Sequence, residues 1–418
     1  MPRVVIVGGG FAGAFCAQAL ERTAGAQKLD VVLLDRNNYF VFTPLLVEAG
    51  TGAIEPRHAV VPLRDFLSST TLRSAEVKGI DTAARTVRYR IIGGAADTVL
   101  AWDHLVVALG SVTRLPAVPG LDRHGLEMKS LRDAVALRDR AIQLLEQADA
   151  TAGAAIRRGL LHFVVVGANF SGVEVAGELH DFLNEAVRFY RNVDAADIRV
   201  TLVELAPRIL PAIDADLAEY AVTKLRARGM SVLLETSVAA VEEDHVILTG
   251  GERLDTRTVI WCAGIAPNPL VRTLGLPCDE RGWILCETDL RVRGMSDVWA
   301  IGDCAVNPDP RGGTYPETAQ HAVRQAAHLA KNISRALRGQ SPLPCTIDSP
   351  STLVALGCRT AVARVFGLKL AGFPAWFLWR SVYLLKMPGW GRRLRVALDW
   401  ALGLLFPRQI VQLGIHRP

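Results

Sequence analysis

The sequence lacks the cysteine patterns of a disulfide-stabilised or metal-binding protein. Seven cysteines, an odd number, are spread over 418 residues, and none is spaced as C-x-x-C or as a set of metal ligands. We therefore expect no disulfide framework, no metal site and a reducing compartment.

Long apolar runs are also missing. No segment reaches the roughly 18 uninterrupted apolar residues of a spanning helix, so the sequence predicts no membrane crossing. The N-terminus, MPRVVIVGGG, shows no cleavage site after its apolar run and does not resemble a signal peptide. Disorder is excluded, because 50% of the residues are hydrophobic and only 21% are charged.

The first strong signal is a glycine turn after a short apolar strand at residues 3–7. Gly8, Gly10 and Gly13 lead into a helix, and the next predicted strand ends at Asp35. This order is typical of a dinucleotide site: Gly8 permits the sharp turn, Gly10 lets the pyrophosphate approach, and Gly13 lets helix and strand pack closely. The helix N-terminus stabilises phosphate charge, and Asp35 can bind ribose hydroxyls.

A second copy of this pattern starts at the strand predicted over 160–167. Gly167, Asn169 and Gly172 form the turn, a long helix follows, and the next strand ends in Glu204. Asn169 replaces the middle glycine; asparagine tolerates left-handed backbone, although its side chain would crowd a pyrophosphate. Glu204 would accept from the 2′-hydroxyl of NADH and repel the 2′-phosphate of NADPH, so we expect NADH. A solvated strand-end charge is the alternative for Glu204.

Two such sites predict two dinucleotides, a tightly held flavin and an exchangeable nicotinamide, with a hydride passing between them. The residues alone thus indicate a flavoprotein reductase with two Rossmann-like domains of the α/β class. A later strand ends at Gly302 and Asp303, where the carboxylate could accept from flavin ribityl hydroxyls or only cap a turn. Strand-to-glycine turns at Gly110 and Gly264 indicate the chain crossing between the two domains.

The C-terminal segment differs from the rest of the chain in charge. Residues 361–418 carry nine Lys or Arg and a single acid, Asp399, a formal +8 that leaves −3 for residues 1–360. Two basic, aromatic-rich segments are divided at Pro388-Gly389, and each is too short to span a bilayer. They suit helices lying at an anionic membrane surface; a basic hairpin packed on the core or in a dimer interface is the alternative.

Taken together, these segments resemble the type II NADH dehydrogenases. Those enzymes are single-subunit NADH:quinone oxidoreductases and belong to the flavoproteins with two dinucleotide-binding domains. The glycine motifs alone indicate only this superfamily of flavoproteins. The other segments point to the type II NADH dehydrogenases within it. The resemblance extends over nearly the whole chain, through GGGFAG, DRNNYFVFTPLLVEAGTGAIEP, VVALGS, VVVGANFSGVEVAGEL, WCAGIAPNP, VWAIGDCA, YPETAQHAVRQA and the tail GFPAWFLWRSVYLLKMPGWGRRLRVALDWALGLLFPRQIVQ.

The resemblance implies FAD as cofactor and NADH as exchangeable substrate, and it assigns residues to each. For FAD it implies contacts from Gly8, Gly10, Gly13, Asp35, Thr43, Pro44, Gly110, Gly302, Asp303, Ala319 and Gln320. For NADH it implies contacts from Gly167, Asn169, Gly172, Glu204 and Gly264, with Glu174 as the catalytic acid near the nicotinamide.

The resemblance also implies that Glu48, Gln320 and Arg324 lie on the quinone side of the flavin. Gln320 also counts as catalytic, because the family's A-Q-x-A-x-Q segment lies beside the flavin ring; Arg324 stands where a second Gln is common. Structural alternatives exist for each: a helix-dipole acid for Glu174, a cap for Gln320, a solvated helix face for Arg324 and a hydrogen-bond acceptor for Glu48.

These readings predict a glutathione-reductase-like α/β fold with an FAD domain (1–118 and 290–345), an NADH domain (119–289) and a membrane-docking segment (346–418). The expected function is hydride transfer from NADH to FAD and then two electrons to a membrane quinone, without proton pumping. We expect a homodimer on the cytoplasmic face of a bacterial inner membrane, and no nucleic-acid partner.

Other functions remain open at this stage. A disulfide reductase is disfavoured, because YFVFTPLLVEAGTG holds no cysteine. A sulfide:quinone oxidoreductase would need reactive cysteines, for which Cys304 and Cys358 are the candidates. Another flavoprotein quinone reductase, or a membrane-docked flavin redox sensor without turnover, are the remaining alternatives.

Overall fold

The computed structural model describes residues 1–23, 29–348, 351–357 and 359–414. Within them the helices are α1 (Phe11–Thr23), α2 (Leu46–Gly50), α3 (Leu63–Phe66), α4 (Leu121–His124), α5 (Leu131–Asp149), α6 (Ala154–Leu160), α7 (Phe170–Ala186), α8 (Ala215–Ala227), α9 (Ala319–Ala336), α10 (Phe373–Lys386) and α11 (Trp390–Leu405). Single turns of 3₁₀ helix occupy Thr43–Leu45, Pro56–Ala59, Val187–Phe189, Ala195–Asp197 and Pro269–Thr273.

The strands are short, apart from one of 11 residues. They are β1 (Arg3–Val7), β2 (Asp30–Asp35), β3 (Tyr39–Val41), β4 (Val60–Pro62), β5 (Thr71–Asp81), β6 (Thr86–Ile91), β7 (Asp97–Ala101), β8 (His104–Val107), β9 (Ser111–Thr113), β10 (Gly125–Glu127), β11 (His162–Val166), β12 (Arg199–Val203), β13 (Ser231–Leu233), β14 (Val238–Val241), β15 (His245–Leu248), β16 (Arg253–Asp255), β17 (Thr258–Trp261), β18 (Ile265–Pro267), β19 (Ile284–Leu285), β20 (Val298–Ala300), β21 (Ala305–Val306), β22 (Ser351–Gly357), β23 (Thr360–Val365) and β24 (Leu368–Gly372).

The first compact unit contains residues 1–41, 60–112 and 265–349. Its seven-stranded sheet has the order β20-β8-β1-β2-β5-β6-β7, in which β20 to β5 pair in parallel and the last two strands extend the sheet as an antiparallel meander. The central strand β1 reads RVVIV, and four of its five residues are fully buried, as expected for a parallel strand covered on both faces.

The second unit contains residues 42–59, 113–264 and 350–418. Its main sheet, β10-β17-β11-β12-β13, is parallel throughout. Two antiparallel sheets, β14-β15-β16 and β22-β23-β24, belong to the same unit. The α/β fold with two parallel nucleotide-type sheets was predicted from the sequence and is confirmed.

Residues 42–59, predicted within the FAD domain, group with the second unit. The observed units differ from the predicted boundaries at two further places. Residues 265–289 pack with the first unit, where Val271, Leu276 and Ile284 share a hydrophobic core with Val5. Residues 350–418 are not a separate body, because they pack with the second unit. The sequence signal for the placement of residues 265–289 is weak, since short apolar runs look alike in either core.

Local sequence explains where the longer helices begin. Ser130 and Asp133 form a capping box at the start of α5, and Thr318 caps α9 by accepting from the His321 amide. Pro374 lies in the first turn of α10, where its missing N–H costs nothing. The predicted break at Pro388-Gly389 separates α10 from α11, and no described helix is long and apolar enough to cross a membrane.

The close approach of α7 to β22 depends on Gly177. A Cβ there would lie 2.3 Å from the Leu356 carbonyl oxygen, so Gly177→Ala is expected to destabilise the second unit by about 1–3 kcal/mol through overpacking. Gly159→Ala on α6 is the matched control, since its nearest neighbour would be 3.6 Å away. Urea unfolding checks both variants, and equal midpoints would contradict the packing account.

Candidate functional site

Three glycine turns follow neighbouring strands at one edge of the first unit's sheet. Gly8, Gly110 and Gly302 come after β1, β8 and β20, which are adjacent and parallel. All three have positive φ, at 103°, 64° and 71°, a backbone region that glycine enters without strain. Carboxyl ends of adjacent parallel strands are where α/β sheets bind nucleotides.

The first turn has the stereochemistry of a pyrophosphate cradle. A Cβ on Gly13 would lie 1.8 Å from the Gly8 carbonyl oxygen, so only glycine permits this packing of helix on strand. At Gly10 a Cβ would meet nothing within 4 Å, so the turn has open space at this position. Asp35 accepts from the amides of Gly9 (2.6 Å) and Asn37 (2.7 Å), while burial raises the pKa of Asp35.

The remaining first-unit candidates flank that turn. The Asp303 carboxylate accepts from the Ser111 hydroxyl at 3.2 Å, and Ala319 is the first residue of α9. Gln320 and Arg324 are both half-buried on that helix. Sequence reasoning missed Gln325, whose buried side chain accepts from the Gly302 amide at 2.8 Å and so connects α9 to the turn before Asp303.

The second turn repeats the cradle in the second unit. Gly167 has φ +96°, and a Cβ on Gly172 would lie 1.7 Å from the Gly167 carbonyl oxygen. Glu204 accepts from the Ala168 amide (2.6 Å) and the Ala206 amide (2.9 Å), which orients its carboxylate beside the turn. Gly264, with φ +75°, follows β17, the strand next to β11.

The expected reason for Asn169 is wrong. Its φ of −74° is not left-handed; instead its side chain caps α7 by accepting from the Gly172 amide at 3.1 Å. The amide group also donates to the Cys262 carbonyl at 2.8 Å. The side chain is thus tied to the protein on both sides, and Asn169 serves as a helix cap.

Thr43, Pro44 and Glu48 lie in the second unit. Thr43 and Pro44 form the 3₁₀ turn Thr43–Leu45, which runs directly into α2. Glu48 is on α2 and only 4% exposed. Its carboxylate accepts from the Trp400 indole at 2.7 Å and pairs with Arg380 at 3.3 Å.

Arg380 is held between two aromatic rings. Its guanidinium carbon lies 4.3 Å from the Trp376 ring centre and 4.5 Å from that of Trp400, a favourable cation–π geometry. Burial raises the pKa of Glu48, and the Arg380 charge opposes that rise. Both α10 and α11 are therefore fixed to α2 through one buried carboxylate.

A second buried contact fixes the chain after α11. Arg408 pairs with Glu178 at 3.2 Å and with Glu185 at 3.3 Å, both on α7. The Arg408 amide also donates to Glu185 at 2.8 Å. These partners could not be predicted, because a residue's position in a charged tail does not reveal which buried acid it meets.

Glu174 lies in the same unit, half-buried on α7. Its carboxyl group accepts from the Ala355 amide at 3.3 Å. Burial raises the pKa of Glu174 to about 8, since the amide only partly offsets desolvation and Glu48 and Glu178 add repulsion. Desolvation and Glu174 together raise the pKa of Tyr383 on α10. Glu174 is therefore a neutral acid at pH 7, able to give or take a proton near neutrality.

The Glu174 pKa predicts a pH effect on stability. Because its native pKa of about 8 exceeds its ordinary value of 4.5, the native state holds a proton that the unfolded chain loses, and stability falls as pH rises from about 4.5 to 8. Glu174→Gln should flatten this fall, by up to about 1.4 kcal/mol per pH unit. Urea unfolding of both proteins at pH 5.5, 6.5 and 7.5 measures it; parallel pH profiles would contradict the assignment.

Comparisons with known proteins agree with this geometry. A family model described as pyridine nucleotide-disulphide oxidoreductase matches residues 2–326, and one described as the NDH2 C-terminal domain matches residues 352–409. A demethylphylloquinone reductase of Synechocystis is 34% identical over 96% of this chain and 95% of its own length. A type II NADH:quinone oxidoreductase of Staphylococcus epidermidis is 31% identical over 90% and 92%.

Among solved structures, NDH2 of Plasmodium falciparum in complex with NADH superposes with a TM-score of 0.90, covering 98% of this chain and 99% of that one. The identity is 19%, so this likeness concerns the fold. The chain belongs to the pyridine nucleotide-disulphide oxidoreductase family and, within it, to the type II NADH:quinone oxidoreductases.

Proposed function

We propose that this protein oxidises NADH with a bound flavin and passes two electrons to a membrane quinone, without pumping protons. The observation that carries the proposal is the pair of glycine cradles, each at the carboxyl edge of a parallel sheet, in a chain of this family. When bound, the flavin would supply the hydride acceptor and the two-electron donor. We propose FAD, held by the first unit, with NADH held by the second.

The chain's own residues would bind and orient these groups. In the first unit, Asp35 and Asp303 would bind ribose and ribityl hydroxyls, and the open position at Gly10 would receive the pyrophosphate. Gly110, Ala319 and Gln320 complete the proposed first-unit contacts. In the second unit, the α7 N-terminus would stabilise the NADH pyrophosphate.

We propose Glu174 and Gln320 as catalytic residues and Glu48 and Arg324 as residues of the quinone side. For Glu174 the support is its pKa of about 8, which suits proton exchange at neutral pH. Glu48 is already engaged by Trp400 and Arg380. It would therefore act on quinone through the position of α2 and the C-terminal helices.

The alternative as a sulfide:quinone oxidoreductase is disfavoured by the thiol chemistry of Cys304. Burial raises the pKa of Cys304 to about 12, so the reactive thiolate is scarce at neutral pH. The other candidate, Cys358, lies outside the described residues. A redox sensor without turnover differs from the proposal only in rate, and quinone-dependent turnover excludes it.

The described C-terminal helices carry the support for membrane docking. Trp390, Leu394, Leu398 and Leu402 recur every fourth residue on α11, and each is more than half exposed. Beside this stripe, Arg392, Arg393, Arg395 and Lys386 lie around the turn between α10 and α11. We propose that this face docks peripherally on an anionic bilayer, at the cytoplasmic side of a bacterial inner membrane, and that two such tails are presented by a homodimer.

Purified holoprotein tests the function directly. NADH should bleach the flavin absorbance under anaerobic conditions, and an added quinone should restore it within the turnover time. Reduction by NADH without reoxidation by any quinone in a panel would sink the proposal.

Glu204→Ala tests the nicotinamide assignment. Loss of the acceptor for the ribose 2′-hydroxyl should lower the ratio of kcat/KM for NADH over NADPH by about tenfold or more, since a matched hydroxyl contact discriminates strongly. Glu219→Ala, an exposed acid on α8, is the charge control and should leave the ratio unchanged. An unaltered ratio in Glu204→Ala counts against the assignment.

The docking face is tested by the double variant Leu394→Asp, Leu398→Asp. It should abolish co-sedimentation with anionic vesicles, because two charges now meet the apolar interior, while NADH oxidation by ferricyanide persists. Leu343→Asp, at an exposed leucine of the first unit, is the control. If the double variant still pellets like wild type, α11 is not the docking element.

A further inference from the structure

A cavity of about 720 Å³ lies within the second unit, beside the C-terminal end of α11. Its walls come from the loop Gly52–Pro56, from three acids of α7, and from the segment that runs from Leu402 to Gln409. Each of those acids is already paired with an arginine: Glu178 and Glu185 with Arg408, and Asp181 with Arg228. Arg138 of α5 lines it as well. The cavity is not one of the glycine cradles, although Leu402 at its edge also belongs to the exposed stripe of α11.

Arg138 is a buried cation without a contacting acid. The residue is 7% exposed, yet its Nε has no hydrogen-bond partner among the described residues. Its guanidinium makes one described hydrogen bond, from Nη2 to the Gln409 carbonyl at 2.8 Å. Asp139 and Glu55 act on it at longer range, and no described carboxylate forms an ion pair with it.

Two half-buried arginines of the cavity are different. Arg380 pairs with Glu48, and Arg408 pairs with Glu178 and Glu185. A buried charge is costly unless it is paired. Arg138 therefore retains both charge and donors for a partner that is not a protein side chain.

The loop at Gly52 packs closely against the Arg138 guanidinium. Gly52 has φ +73°, and a Cβ there would lie 3.2 Å from the Arg138 guanidinium carbon. Glycine lets the loop pass close to the flat group without covering it with a side chain. A guanidinium offers five donors in a planar fork, which suits the oxygens of a phosphate better than a single point acceptor.

The mouth of the cavity is apolar and exposed. Leu402, Leu404 and Phe406 line it and are 53%, 58% and 64% exposed. A ligand that contacts both the Arg138 guanidinium and this apolar mouth needs an anionic head and a hydrocarbon body. That combination describes a membrane amphiphile better than a free metabolite.

We propose that this cavity binds an anionic phospholipid, with Arg138 donating to its phosphate oxygens and its acyl chains lying along Leu402, Leu404 and Phe406. That the ligand is a membrane lipid rests on the membrane docking proposed above, whereas the cavity and its guanidinium do not. Bound lipid would also neutralise Arg138 and so stabilise the segment that carries Arg408. Free inorganic phosphate offers the same head chemistry and is the competing source.

The probe is dihexanoyl phosphatidylglycerol below its critical micelle concentration, titrated calorimetrically into full-length holoprotein. Wild type should bind saturably near one per chain. Arg138→Met should weaken binding about tenfold or more, the equivalent of 1.4 kcal/mol, and Arg138→Lys less. Arg395→Met, a tail cation outside the cavity lining, is the control and should bind the lipid like wild type.

A second variant and a titration with inorganic phosphate complete the test. If Arg138→Met does not fold, Leu404→Asp, at an exposed position, should weaken lipid binding by repelling the anionic amphiphile. Wild-type affinity in whichever variant folds, or no saturable binding to wild type, overturns the proposal. Inorganic phosphate that binds as tightly as the lipid overturns the lipid as ligand.

Failure of this site and failure of the proposed function give different results. Arg138→Met should keep NADH:quinone turnover, because Arg138 has no place in the nucleotide cradles. Leu394→Asp, Leu398→Asp should lose vesicle binding and keep binding of the monomeric lipid. Loss of turnover in wild type would contradict the function and leave the lipid titration unaffected.

Discussion

The second unit depends on the buried contact of Glu48 with Arg380 and Trp400. A carboxylate that is 4% exposed is stable only where a counter-charge and donors surround it. Here those partners come from α10 and α11, while the acid comes from α2. Removing one partner of such a pair typically costs about 3–5 kcal/mol, because the other charge stays buried. The C-terminal helices are thus part of the second unit's core.

This arrangement changes the meaning of the basic tail. Among the described residues, several of its cations form ion pairs with acids of the second unit: Arg364 with Asp214, Lys369 with Asp214 and Asp216, Arg380 with Glu48, and Arg408 with Glu178 and Glu185. Much of the formal +8 therefore attaches the segment to the protein. The cations around the α10–α11 turn are those for which we propose contact with a membrane surface.

The glycine cradles could be predicted from sequence because their chemistry is local. Gly13 and Gly172 each lie within a few residues of the carbonyl oxygen that a Cβ would strike. The requirement for glycine therefore comes from residues that are close in sequence. The fold class follows from the same signals, since strand, turn and helix recur twice. The role of Asn169 was missed because a cap and a left-handed turn favour the same residue type.

The buried contact of Glu48 could not be predicted in the same way. Glu48 meets Arg380 and Trp400 across 332 and 352 residues of sequence, and no periodicity connects positions so far apart. The unmatched guanidinium of Arg138 is likewise invisible in sequence, because its isolation depends on where other acids are placed. Burial and pairing, which decide both cases, are properties of tertiary packing.

The central claim is that α10 and α11 belong to the cooperative core of the second unit. Native-state hydrogen exchange along the chain tests it most directly, because exchange reports the free energy of local opening. The account predicts that amides in residues 373–405 exchange with an opening free energy close to that of α7. Rapid exchange in 373–405 while α7 stays protected would show a detachable tail and contradict the account.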